Sequence, residues 1–147
     1  MTKCWLYALV AVSLLSACSD PSNIIHESSE KSESSLQIDN CTLASPCAGQ
    51  KGIALWYDQA TIVGEEAFTI ELSVPQGTQI VSAILSGEQM NMGYIPVFFK
   101  QNLDMRYSAQ AMVGLCTQAL MHWRLTVTML DVNSKKYEQV FPLYVSQ

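Results

Sequence analysis

In residues 121–130, MHWRLTVTML, Met121, Trp123, Leu125, Val127 and Met129 fall on one side and His122, Arg124, Thr126 and Thr128 on the other. A period of two is that of a strand with one buried and one wet face. The rest of the chain supplies partners for it. In residues 67–74, Phe68, Ile70, Leu72 and Val74 alternate with Thr69, Glu71 and Ser73, and Pro75-Gln76-Gly77 then makes a turn. Tyr107, Ala109, Ala111 and Val113 alternate with Arg106, Ser108, Gln110 and Met112. After a turn at residues 133–136 a last strand is predicted over 137–145, and residues 53–57 and 61–63 are shorter candidates. Residues 79–85 and 94–99 are apolar on both faces, as neighbouring strands in the middle of a sandwich would be, although Pro96 cannot donate to a ladder and implies an edge or a bulge. A helix over residues 108–120, where Ala and Met are frequent, is the competing expectation. Six to eight short strands at this spacing predict an all-β fold, an immunoglobulin-like β-sandwich, over residues 39–147.

The N-terminus reads differently. Lys3 precedes an apolar run, residues 5–15, that is too short and too near the terminus for a membrane span. The run ends in Leu15-Ser16-Ala17-Cys18. These four residues resemble the lipobox of bacterial lipoproteins. The resemblance implies a signal peptide over residues 1–17, cleavage before Cys18, and diacylglycerol on the Cys18 thiol with a further acyl chain, such as palmitate, on its amine. Several chains make an anchor effectively permanent, where one binds only marginally. Ser19 follows Cys18 where an Asp would imply inner-membrane retention, so the outer membrane, facing the periplasm, is the expected place; Asp20 complicates this by one position. Residues 18–38 are rich in Ser and Glu and are expected to form a flexible tether. His26 lies in it, with nothing fixed around it to make a metal site.

The net charge of -5 argues against nucleic acid and against anionic lipid headgroups as partners. Once Cys18 is lipidated, Cys41, Cys47 and Cys116 remain in an oxidising compartment, so one disulfide and one odd cysteine are expected. Pairing of Cys41 with Cys47 closes a small loop and leaves Cys116 free; pairing of either with Cys116 pins the N-terminal arm to the sandwich. Both remain open. The spacing is not the C-x-x-C of a dithiol oxidoreductase.

Soft donors are the remaining signal. Met90-Asn91-Met92-Gly93 is a turn between two apolar runs, and Met90, Met92, Met112, Cys116, Met121 and His122 all fall in or beside expected loops. Thioethers and thiolates select Cu(I). Methionine is also ordinary core filler, and Met121 and Met129 fit the buried stripe without a metal. The Met-Asn-Met-Gly turn, Cys41…Pro46-Cys47, and Met121-His122-Trp123 opening an alternating strand resemble small envelope domains of the FixH/YtkA-like group. That resemblance, over residues 53–145, implies copper handling or cytochrome oxidase assembly, though no His-rich or extended Met-rich motif accompanies it.

No nucleophile elbow, H-E-x-x-H or phosphate loop is present, and His26 and His122 are the only histidines, so no enzyme is expected. The leading expectation is a membrane-anchored envelope lipoprotein that serves as a binding or structural module for a protein or envelope partner. The alternative is a periplasmic Cu(I) carrier whose site draws on Met90, Met92, Met112, Cys116 and His122.

Overall fold

Period-two sequence becomes period-two burial. The computed structural model describes residues 40–102 and 106–147; the expected signal peptide, Cys18 and the expected tether lie outside the described residues. Among the described residues ten strands follow one another: β1 (Cys47–Ala48), β2 (Ala54–Tyr57), β3 (Ile62–Val63), β4 (Phe68–Ser73), β5 (Gln79–Gly87), β6 (Tyr94–Pro96), β7 (Lys100–Gln101), β8 (Arg106–Ala111), β9 (Leu120–Leu130) and β10 (Lys136–Ser146). One sheet has the order β1-β2-β4-β8-β7 and the other β3-β10-β9-β5-β6. With β2, β4, β8 and β7 as strands A, B, E and D, and β10, β9, β5 and β6 as G, F, C and C′, this is the immunoglobulin arrangement. The chain between β2 and β4 crosses to the second sheet, where β3 pairs in parallel with the end of β10. The fold is therefore an all-β sandwich.

β9 is the spine of the second sheet. It pairs with β10 from Leu120↔Ser146 to Leu130↔Lys136 and with β5 on its other side. All five inward positions, Met121 through Met129, are buried. They meet Phe68, Ile70 and Leu72 of β4 and Leu55 and Tyr57 of β2 in one core. Each such side chain contributes about 1.5–3 kcal/mol on burial.

Two expectations need correction. Residues 79–85 are not buried on both faces: Ala83 and Leu85 point into the core, Ile84 is exposed because no further layer covers that side of the sheet among the described residues, and Val81 is exposed at the bulge between Ile80 and Ser82. Residues 94–99 do not form one central strand. Only Tyr94–Pro96 pairs, at the sheet edge, as the missing N–H of Pro96 requires; Val97 then turns inward and Phe98 outward. The competing helix is absent: β8 takes the first part of residues 108–120, and residues 112–119 are neither helix nor strand.

Cys41 and Cys47 form a disulfide, which leaves Cys116 free. Closing so short a loop contributes roughly 2 kcal/mol in the chain-entropy account. Cys41 is itself a core residue, and its carbonyl accepts the Tyr57 N–H at 2.8 Å.

The Tyr57 hydroxyl ties the two sheets, donating to the Pro142 carbonyl at 2.8 Å. Burial pushes this hydroxyl's pKa well above the ordinary tyrosine range. The unfolded chain ionises at this position near pH 10 and the folded chain does not, so stability present below that pH is lost as pH rises through it. Urea unfolding from pH 8 to 11 is expected to show this decline, with a shallower slope for Tyr57→Phe; equal slopes would refute the assignment.

Candidate functional site

The pairing of β5 with β9 runs as far as Gly87↔Trp123, so the chain leaving β5 comes beside the start of β9. Residues 88–93, which join β5 to β6, are fastened there through His122. The Glu88 N–H donates to the His122 carbonyl at 2.9 Å, and the His122 N–H donates to Gln89 Oε1 at 3.4 Å. Inside the loop the Met92 N–H donates to the Met90 carbonyl at 2.9 Å, and Gly93 leaves at φ 76°, a conformation that suits glycine. The loop lies so close to Gly87 that a Cβ there would stand 2.8 Å from the Met90 carbonyl oxygen. Gly87→Ala is therefore expected to displace Met90 and cost about 1–3 kcal/mol, the usual range for overpacking; urea unfolding reads the loss, and unchanged stability would remove this role.

The connection from β8 to β9 closes the other side. Gln147 holds it, donating from Nε2 to the Cys116 carbonyl at 2.6 Å and from its backbone N–H to the Ala119 carbonyl at 3.3 Å. Cys116 is thereby held against the turn: its thiol donates to Met90 Sδ at 3.3 Å. Two sulfurs sharing one metal ion at metal–thiolate distances of about 2.3 Å stand no more than about 4.6 Å apart, so this pair is already within that span.

Around the same small cavity stand Met92, Met121, His122 and Trp123. Met90 forms the open rim at 48% exposure, Met92 and Cys116 are half-buried, and Met121 and Trp123 form a floor at 2% each. His122 lies on the outward face of β9, its ring edge-on to Tyr144 with centroids 5.1 Å apart. Met112 is not among the cavity residues; it follows β8 with its side chain 55% exposed. Of the sequence-predicted donors, Met90, Met92 and Cys116 line one cavity; His122 borders it, with its ring turned to Tyr144 on the outer face, and Met112 stands apart. Met121 was expected both among the soft donors and as core, and Trp123 only as core; their place at the first inward positions of β9 brings them to the cavity.

The donor set is soft. Among the described residues no group of three or more His, Cys, Asp or Glu side chains could hold a metal ion, so the ligands that suit zinc, calcium or magnesium are not assembled. A thiol with thioethers suits a soft monovalent cation.

An immunoglobulin-type sandwich with a sulfur-lined cavity at one end is thus the class that fold and site define. No protein-family profile matches the chain, and no curated protein matches it. Among solved structures it is similar to murine CRIg, with 9% sequence identity, a TM-score of 0.43, and coverage of 64% of this chain and 96% of that one.

Proposed function

We propose that this chain is a lipid-anchored envelope protein that binds Cu(I) as cargo at the sulfur-lined end of its sandwich and passes it on by ligand exchange. The observation that carries the reading is the Cys116–Met90 sulfur contact at 3.3 Å, around a cavity shared with Met92, Met121 and His122. Donation and release need no change of copper oxidation state and no covalent chemistry, so the reading is of a carrier rather than an enzyme. Met90, as the exposed rim, is the donor an incoming acceptor would replace first.

The test is anaerobic Cu(I) titration of the full chain in detergent against a competing chelator, beside Met90→Ala/Met92→Ala. One-to-one binding that the double variant weakens is expected; equal binding by both refutes the site. The anchor belongs to the same proposal and rests on the lipobox-like residues before Cys18. Cys18→Ser is expected to shift the protein from the membrane fraction to the soluble one, and an unchanged distribution would count against lipidation. No helix among the described residues is long and apolar enough to cross a membrane.

A second reading, docking of an envelope protein partner without metal, is favoured by one observation. Val140, Thr126, Ile84 and Pro96 lie in one cross-strand row on the outer face of the second sheet. Val140 and Ile84 in it are exposed, as is Tyr94 in the next row. Ile84→Glu is expected to abolish in-cell crosslinking to such a partner without changing Cu(I) affinity; persistence of the crosslink would remove this face.

A further inference from the structure

The cavity has one wall that is not sulfur. Trp123 is among the largest fully buried side chains of the described residues, at 2% exposure, yet its indole N–H has no hydrogen-bond partner among them. A buried tryptophan ordinarily finds one, and leaving the donor unsatisfied costs stability. A phenylalanine or leucine would fill an apolar core position without that penalty, so packing alone does not account for the indole. Its location does. Trp123 lines the same cavity as Met90, Met92 and Cys116, two residues along β9 from Met121 and on the same inward face. The indole face is the strongest cation acceptor among the side chains, and thioethers bring no negative charge of their own to hold an ion.

We propose that Trp123 is the π-face wall of the metal site: its ring lies against the bound monovalent cation, completes its shell from the buried side, and keeps water from it. The inference rests on the Cu(I) reading above and deepens it. It assigns the inner side of the site to the indole and the outer side to Met90, so the ion is reached only from the rim. Trp56, on the other sheet, has the Arg106 guanidinium over its ring at 5.7 Å and lies outside the cavity.

The experiment uses the lipidated chain in detergent carrying Trp56→Phe, which leaves Trp123 as the sole tryptophan once cleavage before Cys18 has removed Trp5. Cu(I), and Ag(I) as a probe that does not change oxidation state, are titrated anaerobically against a competing chelator while emission is recorded. Emission is expected to fall in step with occupancy and to level at one equivalent. Trp123→Leu is expected to weaken binding roughly tenfold to thirtyfold, and Trp123→Phe by a smaller factor, since a weaker π face remains. Unfolding midpoints show which variants fold; should Trp123→Leu not fold, the emission and Trp123→Phe carry the test. Stoichiometric binding with unchanged emission, or unchanged affinity in a folded Trp123→Leu, overturns the assignment of Trp123 and leaves the sulfur site standing. Absence of binding in every form overturns both.

Discussion

Cys116→Ser is expected to lower the Cu(I) affinity of the detergent-solubilised chain by on the order of a hundredfold, more than any other single change at the cavity. The serine hydroxyl is close in size to the thiol but is a hard donor, so shape is nearly kept while the only free thiol among the described residues is lost. Cys41 and Cys47 cannot replace it, because they are bonded to each other. Met90→Leu removes a neutral donor and is expected to cost roughly tenfold. Met112→Leu is the control, because Met112 stands outside the cavity, and its affinity should equal that of the unaltered chain. Competition titrations with the same chelator read all three. Equal losses in Cys116→Ser and Met112→Leu would mean that sulfur content, rather than this site, governs binding; no loss in Cys116→Ser would end the proposal of a thiolate ligand.

The parts of this molecule legible in its sequence are those that obey a local rule. Residues 121–129 alternate, and all five of their apolar positions are buried in β9. Pro96 cannot donate, and the strand that holds it lies at an edge. The even look of residues 79–85 misleads because an apolar pattern does not distinguish a covered face from an exposed one. Ile84 looks outward across a sheet with no further layer among the described residues, and Val81 is turned out by the bulge between Ile80 and Ser82. The disulfide is chosen by where the chain places Cys41, in the core beside β2, and no spacing rule decides that. The sulfur cluster is harder still. Met90 and Cys116 stand 26 positions apart in two different connections. They meet only because β5 pairs with β9 until Gly87 faces Trp123. The sequence shows that soft donors are present; sheet register decides which of them converge, and it leaves Met112 out.

Asn40→Ala is expected to destabilise the fold by about 3 kcal/mol, a loss no sequence pattern announces. β3 pairs with β10 only at Val145 and Ser146, so the outer backbone groups of Tyr144 have no strand to bond to. The Asn40 side chain, 4% exposed, takes the place of one. Its Nδ2 donates to the Tyr144 carbonyl at 2.7 Å and to the Ala60 carbonyl at 3.2 Å, while its Oδ1 accepts the Tyr144 N–H at 2.8 Å. Truncation strands several polar groups at once, each costing about 1–3 kcal/mol where water does not reach it. Asn40→Asp keeps the acceptor and loses the two donated bonds, so it should fall between Ala and the native residue only at a pH low enough to protonate it; ionised, it would set a charge against two carbonyls. Urea unfolding measures the loss, and one below about 0.5 kcal/mol, an ordinary value for a surface change, would mean that water replaces the amide. Asn40 reaches the cavity through a single step, the Tyr144 ring beside His122. The same variant therefore separates scaffold from site: stability should fall while Cu(I) affinity in the folded population stays within a few-fold, because neither Met90 nor Cys116 depends on Asn40 for its place.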